Sequence, residues 1–377
     1  MSRNRHSRPC SAPRAWLAAV LLAATAGVGC GQVPVVGRFD TQSTFRGHTD
    51  VAATVSAVVD GPIELSLPTV PDPGPIVAVP IRAGASAPGG PRVAIVDVDG
   101  LLLNRSPTGP YSAGENPVEV FRERLEAVAA DPTIRAVVVR INSPGGSVTA
   151  SDIMAEELDR FRERTRLPVV CCLMDLGTAG AYYLAVGGDR VLAHPTTITG
   201  GIGALLNRFD LSDAIGQIGA VSEPITSGSH VAMGNLGTDL PEETEALLQS
   251  MVDGFAARFR GRVALRRPRI TAEDWEVLDD GRVVPASEAI ERGLIDGIGY
   301  LDDAIAEAER LAGVTGAEVV LLKRKGDRAH SIYSVTPNRP IQDELFPVSY
   351  PGLDRSKLPT FLYLWSPDPT LLTIGGP

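Results

Sequence analysis

Ala136-Val137-Val138-Val139-Arg140-Ile141-Asn142-Ser143-Pro144-Gly145-Gly146-Ser147 is the stretch on which the fold turns. Its first half is an apolar run of the kind that fills a strand in a buried parallel sheet. Its second half breaks that strand with a glycine pair. Adjacent glycines after a strand let backbone N–H groups point at an incoming carbonyl or anion, because no Cβ blocks the approach. A helix follows over Ser151 to Arg164. No Gly-Lys-Ser/Thr comes after the loop, so it does not read as a phosphate loop.

The same alternation extends in both directions. Val93 to Val98 reads as a buried strand, and Pro117 to Ala130 as an amphipathic helix with Val118, Val120, Phe121, Leu125 and Val128 on one side. Val169 to Met174 and Arg190 to Ala193 read as further strands, with a helix restarting over Ala179 to Val186. Helices are expected from Pro241 to about Arg267 and from Leu301 to Ala312. Strand–helix alternation of this kind predicts an α/β fold with a largely parallel sheet and flanking helices.

Two further segments carry a family resemblance. Asp175-Leu176-Gly177-Thr178-Ala179-Gly180-Ala181-Tyr182-Tyr183, taken with the Ser143–Ser147 loop, resembles the signal peptide peptidase (protease IV, peptidase S49) family of the ClpP/crotonase superfamily. Thr196 to Gly203, Asp279 to Ala289 and Gly293-Leu294-Ile295-Asp296 are similar to other stretches of that family, so the likeness covers roughly residues 92–325 in a single copy. The resemblance implies a ClpP/crotonase-like fold. It also implies that Gly145, Gly146, Ser147 and Gly180 bind the substrate backbone and its oxyanion, and that family members assemble into rings or domes. A nucleophilic serine is implied where this chain has Ala179, and a general-base lysine, in Thr226-Ser227-Gly228-Ser229-His230-Val231-Ala232, where it has Val231. A methyl group cannot attack a carbonyl, and valine cannot take the proton that a Ser/Lys pair requires.

Loss of both partners predicts a catalytically degenerate protein that binds extended peptides or assembles with an active relative. The alternative is an active endopeptidase with a displaced site, using Thr178 as nucleophile or His230 as base with Asp175 to orient it. A crotonase-like acyl-transfer enzyme is a third reading, but no clear acid/base carboxylate lies in the loop region. For Thr178 the competing structural expectation is a helix-capping hydroxyl; for His194, next to Pro195, it is a turn.

Composition bounds the partners. The 377-residue chain carries a formal charge of −10 and shows no basic stripe with interleaved aromatics, which argues against nucleic acid. No cofactor is expected, and no Cys/His spacing suggests a metal. Residues 1–30 read as an export signal: Arg3, Arg5, Arg8 and Arg14 precede an apolar run from Ala15 to Ala26, too short for the roughly 20 residues of a membrane span. Gly27-Val28-Gly29-Cys30 resembles a lipobox, and lipidation at Cys30 would anchor the chain to the membrane of the cell envelope. Residues 31–91 are rich in Pro and Gly and read as a tether with a small β appendage; residues 326–377 read as a Pro-rich tail, with Leu358 to Trp365 as a docking edge strand. Cys171 and Cys172, neighbours in a strand, point to opposite faces and are expected to be small buried hydrophobes.

Overall fold

The computed structural model describes residues 39–46, 52–59, 74–85, 89–106, 115–206, 208, 210–325, 327, 329–334 and 361–365. The leader and Cys30 lie outside the described residues. The chain divides into two units at residues 69 and 70. In the first, β1 (Phe39–Arg46) and β2 (Ala52–Val59) form an antiparallel hairpin.

The second unit is built on a nine-stranded sheet. Its centre is parallel: β4 (Arg92–Asp99) lies beside β5 (Ile134–Ser143), and β5 beside β7 (Val169–Thr178). Both β8 (Arg190–Ala193) and β9 (Ile198–Gly200) pair with β7 in parallel. Antiparallel strands close the two ends: β3 (Ile76–Arg82) on β13 (Glu318–Arg324), and β11 (Val283–Pro285) on β9. A mixed α/β fold with a largely parallel sheet is the architecture expected from the strand–helix alternation.

Burial on both faces explains why the central strands are apolar almost throughout. Ala94, Val96 and Val98 face one core, where Phe121 and Leu125 of α1 (Pro117–Ala130) and Met154 and Leu158 of α2 (Val148–Thr165) pack. Val93 and Ile95 face the other, covered by Leu301, Ala304, Ile305 and Ala308 of α8 (Leu301–Ala312). Cys171 and Cys172 fall one into each core, free and buried, as their adjacency in a strand requires. Burial pushes both thiols up to about 12, so neither forms a thiolate near neutral pH.

One helix beyond the sheet matters for the site. The long α5 (Glu242–Arg266) is clamped to α2 by arginines one turn apart. Arg258 donates to Asp152 at 2.8 Å, while Arg262 and Arg266 each donate to Asp159 at 2.8 Å. A more deeply buried pair ties β4 to β5: Arg140 donates to Asp97 at 2.7 Å and also holds the carbonyls of Ile332 and Ser334. With only about 5% of the Arg140 side chain exposed, removal of its carboxylate would strand a charge in the core.

The two carboxylates should therefore respond unequally. Asp97→Ala is expected to cost about 3–5 kcal/mol in urea unfolding, whereas Asp159→Ala, beside partly wetted arginines, should cost about 2 kcal/mol. Alkylation of the native protein followed by peptide mapping should leave Cys171 and Cys172 unmodified until the chain unfolds.

Candidate functional site

The site forms where β5 and β7 both end. After Ser143 the chain turns through Pro144 into the short strand β6 (Gly145–Ser147) and then directly into α2. The Ser143 hydroxyl accepts from the Gly145 N–H at 3.1 Å and fixes the turn. Gly145 has φ +101°, a conformation costly for any residue with a Cβ. One edge of β6 bridges Leu102, with Leu102 N–H donating to Gly145 O at 2.9 Å and Ser147 N–H to Leu102 O at 2.8 Å. The Ser147 hydroxyl accepts from Ala150 N–H at 3.1 Å, which makes it the N-cap of α2. That cap starts the helix at Val148, three residues before the sequence pattern suggests.

Beside this turn, β7 continues past Met174 to Thr178 and breaks sharply at Ala179, where α3 (Gly180–Ala185) begins. Ala179 sits at φ +51°, ψ −118°, a region that ordinary residues avoid. Its N–H donates to Gly200 O at 2.7 Å, and its carbonyl accepts from Tyr183 N–H at 2.9 Å. The bend is thus held from the β9 side and by the helix that follows. A Cβ built on Gly145 would lie 3.2 Å from the Ala179 methyl and 2.8 Å from Gly180 N. The glycine loop and the bend therefore meet, bringing Gly145, Gly146, Ala179 and Gly180 together.

The other expected residues lie elsewhere or play other parts. Thr178 is fully buried at the end of β7; its hydroxyl has no hydrogen-bond partner among the described residues and does not cap α3. Val231 is 66% exposed, in the irregular stretch after α4 (Ser212–Gln217). His230 shares a 3.3 Å contact with the Thr244 hydroxyl at the start of α5. Asp175 is exposed. His194 packs edge-on against Tyr300 and bonds Thr196 within its turn, at 2.8 Å.

Local sequence reading places Leu358 to Trp365 at an edge; instead, Phe361–Leu364 forms β14 inside a second sheet. It lies antiparallel between β6 and β10 (Leu205–Leu206), with Tyr363 opposite Gly146 and Leu362 opposite both Ser147 and Leu205. The Tyr363 ring is buried between Tyr183 and Phe259, with centroids 5.4 and 4.9 Å away, and its hydroxyl donates to Phe255 O at 2.6 Å. Below it, Tyr183 donates to Asp152 at 2.6 Å. Burial, and then Asp152, push the Tyr183 hydroxyl up to about 12, so it acts as a neutral donor.

This arrangement can hold an extended backbone against β6 and present one carbonyl to the Ala179–Gly180 bend. At Ala179 the bend carries a methyl, and the buried Ser151 hydroxyl beside Gly180 is engaged, donating to Ser147 O at 2.9 Å.

Comparison with known proteins agrees with this geometry. Residues 162–315 match the profile of peptidase family S49. The chain is 32% identical to the chloroplastic serine protease SPPA of Arabidopsis thaliana over 59% of its length, and 29% identical to protease 4 of Salmonella typhi over 59%. It also matches the capsid assembly protease C of phage lambda, at 29% identity over 56% of this chain and 48% of that protein. The match covers about a third of the Arabidopsis and Salmonella proteins, 33% and 35%.

Two substitutions test this local account. Thr178→Val should stabilise the protein by about 1 kcal/mol in chemical denaturation, since it removes a buried hydroxyl that lacks a partner. Ala179→Gly should relieve the positive-φ strain and also stabilise, again by about 1 kcal/mol.

Proposed function

Because the chain belongs to peptidase family S49, we propose that it is a non-catalytic member which binds extended peptide segments. The reading rests on Ala179. The bend and the glycine loop that would hold a peptide backbone are present, the β6 edge beside them already carries one extended strand, β14, and the side chain of Ala179 is a methyl. Without a nucleophile, backbone donors beside a carbonyl stabilise a bound peptide but form no acyl intermediate. Val231 adds independent support, since an aliphatic side chain at the family's lysine position supplies no base.

The geometry disfavours a displaced site. Thr178 is sealed in the core at the end of a strand, and His230 contacts Thr244 rather than Thr178 or Ser147. The relatives are named as proteases; for this chain, proteolysis would need chemistry that the bend does not supply. Assembly with another S49 chain belongs to the same proposal, supported by the exposed apolar side chains Ile218, Val221, Ile225 and Val231 in the stretch after α4. So does a location in the cell envelope, through the leader at residues 1–30 and lipidation of Cys30. Among the described residues no helix is long and apolar enough to cross a membrane.

The deciding experiment measures hydrolysis of a casein and peptide panel by the full chain beside its Thr178→Ala/His230→Ala variant, together with labelling by a fluorophosphonate. Equal, background-level turnover and no labelling are expected. Turnover that disappears in the variant would overturn the reading. Ala179→Ser alone should also remain at background, because position 231 still offers no base.

A further inference from the structure

Strand β14 stands in an unusual relation to the rest of the molecule. The nine-stranded sheet is complete without it. Its partners are two short strands, β6 of three residues and β10 of two, neither of which otherwise pairs on that side. Its ladder also continues one residue beyond β14, where Trp365 N–H donates to Pro144 O at 3.0 Å. Since hydrogen-bonded and non-bonded pairs alternate along an antiparallel ladder, Tyr363 and Gly146 are the next bonded pair. This is how an added peptide strand engages an exposed sheet edge: main-chain bonds give affinity and alternate side chains enter pockets.

The side chains follow that pattern. Phe361 and Tyr363, two residues apart, point the same way, into an aromatic pocket made by Phe255, Phe259 and Tyr183. The Tyr363 carbonyl points at the bend. A Cβ on Gly145 would lie 2.1 Å from that oxygen, and one on Gly180 would lie 3.1 Å from it. Of the β14 residues, Tyr363 thus presents its carbonyl to the position that in the resembling family carries the nucleophile. A strand that served only to fill a gap would need neither the alternate pockets nor this register.

We propose that β14 is a resident ligand of the cleft between β6 and β10, and that the cleft accepts in its place an extended apolar peptide with an aromatic residue at the Tyr363 position. This deepens the peptide-binding reading above and rests on it. The chain is self-occupied: a peptide in trans must displace its own strand, and anything that draws residues 361–365 away opens the site. Ala179 fits such a device, because a covalent nucleophile facing the Tyr363 carbonyl would act on the chain itself.

The test uses the full chain in three forms: wild type, Tyr363→Ala and Trp365→Pro. The last removes one main-chain donor and leaves every fully buried side chain in place. The probe is a fluorescein-labelled peptide copying Thr360 to Trp365, with a second peptide carrying alanine in place of the tyrosine; binding is read by fluorescence anisotropy. Both variants should bind the first peptide at least tenfold more tightly than wild type, and the alanine peptide should bind at least tenfold more weakly than the first. Equal affinity across the three chains would overturn self-occupation while leaving peptide binding intact. Indifference to the tyrosine would overturn the aromatic pocket as the selecting feature. Absence of binding by every folded form, as judged by circular dichroism, would sink the peptide-binding reading, and this inference with it.

Discussion

The close approach of main chain to main chain at Gly145 is the constraint on which the rest of the site depends. A backbone carbonyl sits where any side chain at 145 would have to be, and the positive φ of that residue aims the loop toward the bend at Ala179. Gly180 repeats the condition from the other side, with the Ser151 hydroxyl 2.2 Å from where its Cβ would lie. Two glycines on different elements therefore make one narrow slot. The hydrogen bond from Ala179 N–H to Gly200 O and the Ser147 cap hold its walls. Helix α5, clamped by its arginines, roofs the adjoining pocket.

The strain at Ala179 is informative because it falls on an alanine and not on a glycine. A non-glycine residue at φ +51° costs on the order of 1–3 kcal/mol, and such conformations persist where the surrounding structure over-determines them. Here the neighbours that impose the bend also form the slot, so relaxing the bend would dismantle the place where a backbone is held. On the function proposed above, binding geometry and catalytic chemistry separate in this molecule. The first belongs to glycines, a strand and a capped helix; the second would need the serine and lysine that the family resemblance implies where this chain has Ala179 and Val231.

Much of this was legible in the sequence, for a physical reason. Strands buried on both faces are apolar nearly throughout, and the amphipathic helices between them fix an α/β order; β4, β5, α1 and α8 fall where the pattern puts them. The glycine loop and the bend were readable as motifs, and the structure brings Gly145, Gly146 and Gly180 together. What was hidden depends on distant partners. Ser147 could be read as a substrate contact or as a cap, and only the helix start at Val148 decides it. Thr178 carries a hydroxyl that sequence reasoning assigns to a cap or an attack, whereas burial at a strand end leaves it neither. The position of β14 was the largest difference. Phe361 and Tyr363 alternate with Leu362 and Leu364, which signals a strand, but nothing local says that both its edges are paired.

Hydrogen exchange of the full chain, resolved to fragments covering residues 145–147 and 361–365, tests the central claim most directly. The account predicts that both fragments are protected far beyond free-peptide rates, and that Tyr363→Ala releases residues 361–365 together with the Gly146 amide, while Ser147, held by Leu102, and β4 and β5 stay protected. Free-peptide exchange at residues 361–365 alongside unchanged protection at 145–147 would contradict it, because the cleft would then be neither occupied nor dependent on its own strand.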